Sequence, residues 1–153
     1  MHVERSNEFG RLDEARLRVF AAEIGARLPD DYRAFLLEHN GGLPVPSDFS
    51  LGAGHGDSTL HHTYGLHAGP EYFRLDDTYE VYRGRLPASL LAIADDSSGN
   101  AICIGLRGEE RAKVYFWDHE GESDPPTWDN VIELAPSFAA FCDTLFDFGG
   151  AAG

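Results

Sequence analysis

Over residues 13–24 the apolar positions Leu17, Phe20, Ala21 and Ile24 recur at the spacing of one helical face, and Gly25 then offers a left-handed stop. The next stretch, LPDDYRAFLLEHNGG over residues 28–42, predicts a second helix. Pro29 suits its first turn, Asp30 and Asp31 place negative charge at the positive end of the dipole, and Tyr32, Phe35, Leu36 and His39 share a face. Asn40, Gly41 and Gly42 should end it abruptly and let the chain turn back beneath a sheet. Two such helices joined by about four residues are expected to pack as a hairpin, since neither can bury its stripe alone.

The pattern then loosens. Residues 43–70 are rich in Gly, Pro, Ser and His and read as loop, with short strands near 49–51 and 60–64. Beyond Pro70, Tyr72, Leu75, Tyr79 and Tyr82 return to helical spacing and predict a short amphipathic helix ending near Gly84. Next comes LLAIADDSSGNAICIGL, two apolar runs around the turn cluster 95–100, which predicts a β-hairpin. KVYFWDHE predicts another strand, with Val114 and Phe116 on one face and Tyr115 and Trp117 on the other. GESDPPTWDN reads as loop and residues 131–134 as a short strand. Pro136 and Ser137 open a last helix whose apolar face is Phe138, Phe141, Cys142 and Leu145. The order predicts an α+β fold: one domain over residues 1–153, its core at about 13–148, and a tail at 149–153 that should fray.

Composition narrows the function. With 42% hydrophobic and 12% aromatic residues the 153-residue chain can bury a core. Twelve Lys and Arg against 26 Asp and Glu give a formal charge of −14, a field that repels nucleic acid and anionic membranes. Such acidity either serves solubility or steers a basic partner protein. Cys103 and Cys142 each sit in an apolar run, where cysteine behaves as a small hydrophobe. The first 25 residues are charged throughout, and no long apolar span occurs, so a cytoplasmic location is expected.

Catalytic chemistry is poorly represented. His55, Asp57, His61 and His62, with His67 nearby, could in principle ligate a divalent ion and serve a metal-dependent hydrolase, but their spacing fits no standard motif. Asp118, His119 and Glu120 could do acid–base work if enclosed, yet neighbours on a strand point to opposite faces. Ser97 and Ser98 lack a nucleophile-elbow context. No cofactor or metal is expected, and no catalytic residue is assigned.

Taken in order, Leu28-Pro29 with Tyr32 and Phe35, the Asn40-Gly41-Gly42 stop, the turn 95–100 with Gly99 and Asn100, and the aromatic segment around Trp117 resemble the SUKH superfamily. That group joins bacterial immunity proteins with fungal Smi/Knr-type cell-wall regulators, and the resemblance spans about residues 13–145. It implies a central antiparallel sheet flanked by helices, an N-terminal helical hairpin and a C-terminal helix. It also implies an antidote that neutralises a cognate toxin domain, such as a nuclease or deaminase, by protein–protein contact. The alternative within the same resemblance is a regulatory or scaffold module. The histidines of the 44–70 loop depart from the pattern.

On that reading the acidity acquires a use, because a toxin that acts on nucleic acid needs a positive groove in which carboxylates can dock. Asp118, Glu120, Glu122, Asp124 and Asp129 lie in a stretch with no Lys or Arg, with Trp128 among them as a candidate anchor. Asp95 and Asp96 at the hairpin tip form a second candidate surface. The oligomeric state is left open.

Overall fold

The computed structural model describes residues 1–148; the tail expected to fray lies outside them. Helix α1 (Glu14–Ile24) begins at Asp13, whose carboxylate accepts from the Arg16 N–H, and stops at Gly25 in the left-handed region with φ 68°. Helix α2 (Asp30–His39) follows Pro29 and ends at Asn40, itself left-handed at φ 46°.

Before them lies a strand that no periodicity announces. β1 (His2–Glu4) pairs antiparallel with β2 (Leu43–Val45) in a separate two-stranded sheet. Gly42 makes that approach feasible: at φ 95°, a Cβ there would stand 2.7 Å from the Glu4 carbonyl oxygen.

Six further strands form the main sheet in sequence order, every neighbour antiparallel: β3 (Asp48–Ser50), β4 (Asp57–Thr63), β5 (Leu90–Asp96), β6 (Ala101–Gly105), β7 (Val114–Trp117) and β8 (Val131–Ala135). β6 and β7 are buried throughout, so both faces of the sheet are covered. On β7 the alternation is as the sequence predicts. Phe116 turns to Phe49, which packs on Phe141, while Trp117 turns to Tyr82 on the opposite face.

Helix α3 (Leu75–Tyr82) covers the Trp117 face, and α4 (Phe138–Thr144) packs with α2 and β8 on the other. Tyr72, expected on the apolar face of α3, instead lies in a preceding 3₁₀ turn and is exposed. The N-terminal helical hairpin is not confirmed: the chain opens with β1, and the aromatic residues of α1 and α2 meet other helices. Phe20 of α1 meets Tyr79 of α3, whereas Tyr32 and Phe35 of α2 both meet Phe138 of α4. An ion pair between Glu14 and Arg33 at 3.5 Å links the two helices.

Candidate partner-binding surface

Because neighbouring strands run antiparallel, alternate connections fall at the same end of the sheet. The turn 51–56 before β4, the turn 97–100 between β5 and β6, and the segment 118–130 between β7 and β8 therefore share one end. Two surfaces that are separate in the sequence become one.

Asp96 ties them together from inside. Only 4% exposed, it accepts hydrogen bonds at Oδ1 from the Ser98 and Asn100 N–H groups and at Oδ2 from Asn100 Nδ2 and Ser58 Oγ. Asn100, also buried, passes the link on: its Oδ1 accepts from the His119 N–H at 3.0 Å and lies 2.6 Å from His119 Nδ1. Asp96 thus fixes β4, the hairpin turn and the 118–121 turn relative to one another. This corrects the expectation that Asp96 meets a partner, since strand alternation turns one of the two adjacent aspartates inward. Asp95 keeps a partly open side chain beside His61, at 3.3 Å from Nδ1. Burial raises its carboxyl pKa above the ordinary value, although His61 works the other way.

The rest of the acidic run is displayed. Glu120, Glu122, Asp124 and Asp129 are exposed, and Asp118 is half-buried, its carboxylate accepting from the Glu120 N–H. Glu122 is held by Arg85 through two bonds of 2.9 Å, a partner that no local pattern signals. Arg85 also lies over the rings of Tyr82 and Trp117, so it ties the 122–127 segment to the end of α3. That bidentate bond lowers the Glu122 carboxyl pKa below its ordinary value. Glu120, Asp124 and Asp129 make no ion pair with Lys or Arg among the described residues. Trp128 is 41% exposed and rests edge-on against Tyr115, ring centres 5.4 Å apart.

Basic residues are scarce at this end. None of the twelve Lys and Arg residues falls in the turns 51–56, 97–100 and 118–130 that build this end of the sheet. Arg107, Arg111 and Lys113 sit instead on the β6–β7 connection at the opposite end.

The histidines do not converge. His55 is an exposed turn residue, Asp57 is exposed at the start of β4, and His61 and His62 face opposite sides of that strand. His62 is 3% exposed, stacked on Phe73 at 3.6 Å, and its Nδ1 has no hydrogen-bond partner. His67 packs instead against Phe9 of the N-terminal segment. Among the described residues no group of three or more His, Cys, Asp or Glu is placed to hold a metal ion.

Leu28, Tyr32, Phe35 and Trp117 belong to the core, and Asn40 bridges segments through Nδ2 to the Gly10 and Leu66 carbonyls and through Oδ1 to the Leu66 N–H. Residues 11–144 match the SMI1 / KNR4 family (SUKH-1). The chain belongs to this family. It is also similar to the SPbeta prophage-derived uncharacterized protein YokK of Bacillus subtilis (strain 168), 28% identical over 149 residues that span 86% of this chain and 73% of that protein. Asp96, Asn100 and Trp117 are buried at this sheet end, and the acids of 118–129 surround them at the surface. No helix is long and apolar enough to cross a membrane among the described residues.

Proposed function

We infer that this SUKH-1 protein is an immunity-type binder that neutralises a cognate cationic toxin domain by occupying it, with no bond made or broken. The observation that carries the reading is that one end of the sheet displays Asp95, Asp118, Glu120, Glu122, Asp124 and Asp129 with no Lys or Arg among them other than Arg85. Acids carried on a braced turn suit this task because the backbone beneath them loses little conformational freedom on binding, and they can complement a groove built for phosphates. The charge also draws a basic partner in quickly, which an antidote that works by occupancy requires.

Co-expression with the product of the neighbouring gene, scored for growth and for co-purification, tests the reading. Rescue together with a stable complex is the expected result. Rescue without a complex would point to enzymatic detoxification and contradict it.

A further inference from the structure

The two edges of the main sheet are finished differently. At β3 the outer edge is closed by the chain itself: the Asp48 N–H donates to the Phe146 carbonyl, the Phe146 N–H donates to the Asp48 carbonyl, and the Phe148 N–H donates to Asp48 Oδ2. At β8 no further strand or isolated bridge pairs with the outer edge among the described residues, and the Val131 N–H donates to the Trp128 carbonyl. The Asn130 carbonyl accepts from Asp118 on the β7 side, so by alternation Ile132 also turns its backbone groups to β7, while the Val131 carbonyl and the N–H and C=O of Glu133 face outward.

We propose that the β8 edge receives an extended cationic segment of the partner by strand addition. The inference rests on the binding reading above in taking the partner to be cationic. Glu133 supplies the selectivity. It is exposed at the middle of the edge strand, directly across from Tyr115, and Trp128 covers Tyr115 from the same side. A strand added about 4.8 Å beyond β8 brings a residue facing Glu133 within side-chain reach of that indole. An arginine there can pair with the carboxylate and lie over the ring at once. Lys113 reaches Glu133 at 3.4 Å, but both side chains remain partly exposed to solvent, so the pair is weak and easily exchanged. A second copy of this acidic chain would set carboxylate against carboxylate, so the same residue that admits a basic strand rejects self-association.

The test uses the full chain with a synthetic pentapeptide of alternating Arg and Val. Controls are the same peptide with alternate backbone nitrogens methylated and a Glu–Val peptide. The Arg–Val peptide should shift the Glu133 amide and the Trp128 indole N–H in NMR spectra and slow Glu133 amide exchange by about tenfold or more at saturation. E133K, at an exposed position, should weaken binding by at least about tenfold, and the methylated peptide should not bind. Equal binding of the methylated peptide, shifts confined to other strands, or no shift at all would overturn the proposal. Because no natural partner is used, failure here leaves the neutralisation reading intact, and failure of co-expression leaves this result intact.

Discussion

Protonating His62 in the folded protein places a charge in a site with 3% exposure, against the Phe73 ring and near Arg5, His61 and His67. Desolvation first, and then those like charges, hold its pKa down at about 4, against an ordinary 6.5. The unfolded chain therefore binds a proton that the folded chain refuses between those values, so this contribution to stability is present above about pH 6.5 and is lost as the pH falls toward 4. Integrated from pH 7 to 5, the loss is about 2 kcal/mol, equivalent to roughly 4–8 °C in Tm for a chain of this size. His67, also lowered by burial, adds to the loss, whereas Asp95, raised by burial, offsets part of it at the acid end. The difference between variants isolates His62. His62→Phe keeps the stack on Phe73 and cannot titrate, and His62→Gln provides a second non-titrating form. Urea unfolding at both pH values should show about 2 kcal/mol less acid destabilisation in either variant than in the parent. An unchanged difference between the two pH values would refute the assignment to His62.

The Tyr32 hydroxyl is buried without a hydrogen-bond partner, so Tyr32→Phe should leave stability unchanged or raise it by up to about 1 kcal/mol in denaturant unfolding. Asp96→Ala removes the acceptor of four hydrogen bonds and should cost about 2–4 kcal/mol, with chemical-shift changes reaching His119. Arg85→Ala should cost stability about 1 kcal/mol, while amide exchange in residues 122–127 accelerates because their tie to α3 is gone.

Much of the fold is legible where a local rule has no competitor. Gly25 and Asn40 stop their helices as turn chemistry dictates, and the apolar runs flanking residues 97–100 pair as a hairpin. The alternation of Phe116 and Trp117 gives the two faces of β7 directly. What stays hidden depends on tertiary partners. The three residues of β1 are too few to carry a period, and the rings of α1 and α2 meet helices distant in sequence, Phe20 on Tyr79 and Tyr32 on Phe138. The acidic run at 118–129 is visible in the sequence, but its union with the hairpin turn needs the strand order. Which of Asp95 and Asp96 faces inward is likewise set by neighbours, since Ser58 and His119 lie far along the chain.

The central claim is that carboxylates with almost no Lys or Arg among them at one sheet end bring in and hold a cationic protein. Stopped-flow association with the purified product of the neighbouring gene, measured from low to high salt, tests it most directly. The rate should fall steeply with ionic strength in the parent, and the E120K, D124K, D129K triple variant should associate at least about tenfold more slowly with a flattened salt dependence. A parent rate indifferent to salt, and unchanged by reversing those three charges, would contradict the account.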